Sequence, residues 1–140
     1  MTPGAYWVRV TGKYPALIEA FKDRVVQMYK RDLPWYDPLM DLKDFPTRLG
    51  RDCYGMILVA QGQGFVGHWL SRVAYQVVYS VQVEIEGDHP GALEAGLERI
   101  EDWGREMGAI THHCITYRNP EAFTRLTKSE RIGYVIERKL

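Results

Sequence analysis

Five residues, Gly87-Asp88-His89-Pro90-Gly91, join an alternating strand to an amphipathic helix with very little loop between them. The start of a helix carries unpaired N–H donors and a partial positive charge, which suits a phosphate. A phosphate-bearing cofactor is therefore one occupant this elbow could take. The same residues also make a plain helix start, with Asp88 as N-cap and Pro90 in the first turn. Just upstream, Glu84 and Glu86 fall on one face of the strand, because alternate strand residues point the same way. Partial burial would raise either carboxyl towards neutral pH, whereas on a solvated face they are simply acidic side chains. His112-His113 invites a metal reading, but adjacent strand residues point to opposite faces and cannot chelate one ion side by side. One ring is expected to be packed and hydrogen-bonded, the other exposed, and no metal site is expected. His68 and His89 stand alone; His89 could touch a phosphate if protonated. In Leu33-Pro34-Trp35-Tyr36-Asp37-Pro38, the two rings could stack on a substrate and Asp37 could attract an ammonium group. The alternative is a proline-stiffened loop capping the core. No Walker A, HExxH or familiar Ser-His-Asp order is present.

These residues need elements to hold them. A strand is expected over Tyr6 to Val10, then a helix from Pro15 to about Arg31 with Leu17, Ile18, Phe21, Val25, Met28 and Tyr29 at helical spacing. Leu39 to Leu49 has room for a short helix broken at Pro46. Tyr54 to Ala60 and Phe65 to Val73 form a hairpin around Gln61-Gly62-Gln63-Gly64. In the strand Val77 to Glu86, alternation puts Val77, Tyr79, Val81, Val83 and Ile85 on one face, with Ser80, Gln82, Glu84 and Glu86 on the other. The helix Pro90 to Met107 carries an apolar stripe of Leu93, Leu97, Ile100, Trp103 and Met107, and Gly108 stops it. A strand from Ile110 to Tyr117, a short helix from Pro120 to about Lys128 and a closing strand from Ile132 to Leu140 complete the order β-α-(α)-β-β-β-α-β-α-β. Early hairpins and a late crossover imply one α/β domain over residues 1–140, with a mixed sheet flanked by helices.

Composition narrows the partners. The 140 residues carry 18 Lys+Arg against 18 Asp+Glu. That balance gives no argument for a nucleic acid or an anionic membrane. No stretch is apolar for long enough to span a bilayer, and MTPGAYWVRV is no signal peptide. Cys53 and Cys114 make no disulfide framework, so two free, buried thiols in a reducing cytoplasm are expected.

The order of elements resembles the GNAT superfamily of acyl-CoA-dependent N-acetyltransferases over nearly the whole chain. YGMILVAQGQGFVGHW is similar to the family's hairpin, VYSVQVEIE to its fourth strand, and GALEAGLERIEDWGREMGA to the helix after the cofactor loop. Asn119-Pro120-Glu121-Ala122 fits the N-x-x-A that opens the family's last helix, and Ile132-Gly133-Tyr134 resembles the start of its closing strand. The resemblance implies a mostly antiparallel sheet of about six or seven strands with one parallel β-α-β crossover, flanked by about three or four helices.

It also implies acetyl-CoA as acyl donor and a small-molecule or peptide amine as acceptor, with the acyl group passing directly between them. The backbone of Val81, Val83 and Ile85 would line the pantetheine arm. Gly87, Asp88, His89, Gly91 and Ala92 would meet the pyrophosphate, with Asn119 nearby. Glu84 or Glu86 would be the base, and Trp35, Tyr36 and Asp37 would wall the acceptor site. The family's [Q/R]-x-x-G-x-[G/A] signature falls on Asp88-His89-Pro90-Gly91-Ala92-Leu93, where only Gly91 agrees. Asp88 brings negative charge towards a negative ligand. The family's usual acid, a tyrosine, falls on Leu126, which leaves Tyr134 or Tyr117 as substitutes after a backbone shift. Two other readings stay open: a GNAT-shaped binding or assembly protein without catalysis, of a kind met among phage- and prophage-encoded proteins, and an unrelated α+β domain. The closing strand could pair across a homodimer.

Overall fold

The computed structural model describes residues 4–32 and 45–114, together with Arg125 and Arg138. The expectations for Trp35, Tyr36, Asp37, Tyr117, Asn119, Leu126 and Tyr134 lie outside the described residues. So do the helix from Pro120, the closing strand from Ile132 and the dimer contact expected of it.

The described elements run β1 (Ala5–Val10), α1 (Pro15–Asp32), α2 (Phe45–Arg48), β2 (Cys53–Ala60), β3 (Gly64–Ala74), β4 (Val77–Ile85), α3 (Ala92–Glu106) and β5 (Thr111–Cys114). The strands form one sheet in the order β1-β2-β3-β4-β5. The first four are antiparallel neighbours, and β5 lies parallel to β4, as a crossover through α3 requires. This is a mixed five-stranded sheet with three helices among the described residues. No described helix is long and apolar enough to cross a membrane.

Each face of the sheet has its own core. Ile18, Phe21, Val25 and Tyr29 of α1 pack with Phe45, Ile57 and Leu70. Ile100 and Trp103 of α3 pack with Trp7, Tyr54, Met56, Leu58 and Trp69 on the other. Alternate residues of β2 serve opposite clusters, which is why its sequence is a near-continuous apolar run. Pro46 sits in the first turn of α2, where its missing N–H costs nothing.

Two local expectations are corrected. The first concerns the face of α3. Its buried residues are Ala92, Gly96, Ile100, Trp103 and Gly104, with Leu93 and Leu97 half-buried and Met107 exposed. The bulk comes from the sheet instead. A β-carbon on Gly96 would stand 2.5 Å from Cζ3 of Trp69, so the helix approaches as closely as it does only because that residue is glycine.

The second correction concerns β4. Ser80 pairs with Ser71 and Gln82 with Leu70, leaving Val81 as an extra, unpaired residue. This β-bulge reverses the alternation. Before it, Val78 and Ser80 face α3; after it, Val83 and Ile85 do. Val81 itself packs with the α1-side cluster. Val77, Tyr79, Val81, Val83 and Ile85 therefore do not share one face.

Candidate active site

Beyond the bulge, β4 turns its polar residues towards α1. Gln82 and Glu84 lie beside His68 of β3, whose cross-strand partner is Glu84. From α1, Arg24 reaches Glu86 at 2.9 Å and Glu84 at 3.6 Å, while Arg31 reaches Glu84 at 2.5 Å and Asp32 at 3.2 Å. Helical spacing aims both arginines at one patch of strand.

The two glutamates differ in setting. The Glu84 side chain is 11% exposed and that of Glu86 is 58% exposed. Burial would raise the Glu84 carboxyl, but the hydrogen bond from Arg31 and the Arg31 charge outweigh it. Glu84 is held below the usual carboxylate range. The expected rise towards neutral pH does not occur at Glu84, because burial there comes with two guanidinium partners.

From sequence His68 stands alone, because a lone histidine in an apolar strand carries no pattern. It is 1% exposed, and burial pulls its pKa down to about 4. Gln82 donates to the Val25 carbonyl at 3.3 Å, so its Oε1 accepts from His68 Nε2 at 2.8 Å. The ring is therefore the neutral Nε2–H tautomer. Its Nδ1 lone pair, like Arg24 Nε, is buried without a partner among the described residues. Buried orphans of this kind mark places where a water or a ligand group is accommodated.

The elbow differs from expectation in one respect. The helix does not begin at Pro90, and Asp88 is not its cap. Gly91 is the N-cap, with φ 82°, and the first helical residue is Ala92. Gly87 also has a positive φ, 84°. Two left-handed glycines let the chain leave β4 and turn into α3 over six residues, Glu86 to Gly91. Pro90 thus lies outside the helix and removes no first-turn donor. Trp7 pins the start by donating from Nε1 to the Ala92 carbonyl at 2.8 Å. The Ala92 N–H goes to the His89 carbonyl and the Ala95 N–H to Gly91. Among the described residues nothing accepts from the Leu93 and Glu94 N–H groups. Gly87, Asp88, Pro90 and Gly91 are exposed, so no described side chain plugs this mouth. His89 Nε2 is buried there without a described partner.

On the α3 side, His112 is packed, with Ser80 and Glu101 as partners. His113 is half-buried and meets Tyr79 edge-on at 5.6 Å, so it is not the exposed ring that was expected. Both cysteines are free; Cys53 is buried, but Cys114 is only half-buried. Among the described residues there is no cluster with metal-binding composition.

The architecture agrees over almost its full length with solved acetyltransferases. An aminoglycoside N-acetyltransferase, AAC(6')-Iy, in complex with CoA superposes with a TM-score of 0.65 at 14% identity, covering 97% of this chain and 94% of the other. A predicted acetyltransferase from Clostridium acetobutylicum with acetyl-CoA gives 0.69 at 12% identity, covering 96% of both chains. An aminoglycoside acetyltransferase from an uncultured soil metagenomic sample, in complex with trehalose, gives 0.66 at 14% identity over 98% and 95%.

The chain has the GNAT acetyltransferase fold. No family model matches the sequence, and no curated protein does either. The likeness is thus carried by the backbone path. That agrees with an elbow at which only one of the three specified positions of the family signature is retained. The GNAT fold places the bulged strand, the elbow and the start of α3 in one continuous run, Val81 to Leu93.

Proposed function

We propose that this protein is an acyl-CoA-dependent N-acyltransferase that moves an acyl group from acetyl-CoA to the primary amine of a small molecule. The observation that carries the reading is the open elbow. Two left-handed glycines, free N–H groups on Leu93 and Glu94 and the orphaned His89 Nε2 converge at the mouth of α3. Solved proteins of this fold hold CoA or acetyl-CoA. Gly87, Asp88, His89, Gly91 and Ala92 would meet the pyrophosphate through backbone donors. The backbone of Val81, Val83 and Ile85 would line the pantetheine arm, where the bulge frees a peptide unit from its ladder partner.

The base role falls to Glu86 rather than Glu84. An amine nucleophile must lose a proton, and a carboxylate pinned by two arginines is a poor acceptor. Glu84 instead positions Arg24 and Arg31. The proposal extends to Asn119 beside the cofactor, Tyr134 as an acid, and Trp35, Tyr36 and Asp37 at the acceptor. Two solved relatives hold aminoglycoside-type ligands, sisomicin and a CoA-linked acetylneamine analogue. These favour a soluble polyamine over a peptide as the first acceptor to try.

A second reading, ligand binding without turnover, is favoured by the locked Glu84. Thermal unfolding with acetyl-CoA tests binding for both. At a hundred times its dissociation constant the ligand should add about 2.7 kcal/mol of stability. Release of free CoA thiol on adding an amine panel then separates turnover from binding alone. No stabilisation at millimolar acetyl-CoA would remove both readings. Asp88→Arg should tighten binding, and weaker binding would move the pyrophosphate away from this loop.

A further inference from the structure

Arg24 ties its own helix to two strands. Phe21 and Val25, on either side of it in α1, are fully buried, so its stem leaves from a fixed stretch of backbone. The side chain itself is 16% exposed. The two arms of its fork go to different strands. Nη1 donates to the Phe65 carbonyl on β3 at 3.3 Å, and Nη2 donates to Glu86 Oε1 at 2.9 Å, with Glu84 Oε1 at 3.6 Å.

An irregularity in β3 places the Phe65 carbonyl. Against β2, Phe65 pairs with Val59 and Gly67 with Leu58, which leaves Val66 as an extra residue. The Val66 carbonyl accepts the backbone N–H of Glu86 at 2.7 Å. Consecutive carbonyls of β3 thus hold one glutamate at two levels. Val66 fixes its backbone directly, and Phe65 fixes its carboxylate through Arg24. Arg31 has no such anchor: its side chain is 48% exposed and meets only carboxylates, those of Glu84 and the adjacent Asp32.

Glu86 needs this hold more than Glu84 does. It follows Ile85, the last residue of β4, and its side chain is 58% exposed. The ladder sets its backbone but leaves several rotatable bonds before the carboxylate. A base must meet the amine at hydrogen-bond distance, so free rotation there is costly to catalysis. Arg24 and Glu86 lie 62 residues apart in sequence, and they meet because the β4 bulge turns Glu86 towards α1.

We propose that Arg24 is a positioning residue, which takes one oxygen of Glu86 and sets the rotation of the carboxylate against the acceptor amine. This rests on the acyltransferase reading above, with Glu86 as base. Arg24 keeps its own proton throughout, because a guanidinium is too weak an acid to give it up. The acceptor's proton goes to Glu86 alone.

The test uses the full chain with acetyl-CoA and, as amine probes, spermidine and sisomicin. It reads release of CoA thiol alongside thermal unfolding. Arg24→Ala should lower kcat by about 10- to 100-fold and leave KM for acetyl-CoA unchanged. Glu86→Gln removes the base, so adding Arg24→Ala to it should lower kcat no further. Fully additive losses, an unchanged kcat in Arg24→Ala, or a raised KM in its place would overturn the proposal and leave Glu86 as base. Should Arg24→Ala fail to fold, Arg24→Lys decides. A lysine is one point charge that cannot span Phe65 and Glu86 together, so kcat should again fall, and an unchanged kcat overturns the proposal. Stabilisation by acetyl-CoA with no thiol released from either probe would overturn the proposal and leave binding without turnover. Absence of stabilisation would overturn the acyltransferase reading itself.

Discussion

Strand β4 looks onto two different environments. Towards α1 it presents Glu84 and Gln82 among Arg24, Arg31 and the neutral ring of His68. Towards α3 it presents Val78, Val83, Ile85 and one hydroxyl, Ser80, against Trp69 and His112. The first face is held by charge and the second by shape, with Trp7 and Trp69 edge to face at 5.7 Å and the α3 backbone close above them. A single bulge residue separates the two patterns. Two environments therefore sit back to back on one strand: a charged, polar side and a closely packed one. Their stabilities should respond to different perturbations.

The sharpest break between the faces comes from removing shape. Trp69→Ala should cost about 3–5 kcal/mol, read by urea denaturation, and should not depend on salt. A loss below about 1 kcal/mol would mean that the α3 face is not packed as described.

Acid should act on the other face. His68 is neutral when folded, with its pKa lowered from 6.5 to about 4 by burial. The unfolded chain binds the extra proton first. The stability at stake is fully present above pH 6.5 and is lost as pH falls towards about 4. Its size is roughly 3 kcal/mol. His68→Gln should flatten the pH dependence of stability in that window, and an unchanged slope would show that the ring is not buried neutral.

Gly96→Ala is a subtler probe of shape. Its β-carbon would meet the Trp69 ring, so a loss of about 1–3 kcal/mol is expected by thermal or urea unfolding. A neutral result would show that α3 can lift off without cost.

Glu84→Gln should have the smallest effect, about 1 kcal/mol, since Arg31 is well exposed and screened. The carboxyl is held below its ordinary range, so its contribution is complete above that range and lost as pH falls through the folded value. Salt should shrink the difference between wild type and variant, and a salt-independent loss would place the pair in a drier site.

Much of this was legible beforehand. Strand alternation, helical spacing and the glycines around Gln61 located β1 to β4, α1 and α3 with boundaries moved by one or two residues, whereas α2 is described only over Phe45–Arg48 of the expected Leu39 to Leu49 and β5 only over Thr111–Cys114. The elbow was also legible as a site, though Asp88 and Pro90 suggested an earlier helix start. Local capping preference gave way there to the pull of Trp7 on Ala92, a contact 85 residues away in sequence. The arginines facing Glu84 were hidden because α1 and β4 are separated by the whole hairpin.

The residues themselves determined the elements, their order and the glycine-bounded elbow, because backbone propensity and periodicity act over a few neighbours. Tertiary structure alone decided which face each β4 side chain meets, the ionisation of Glu84, the neutrality of His68 and the meeting of Glu101 with His112. Those depend on one unpaired residue, Val81, and on distances between elements that no local pattern encodes.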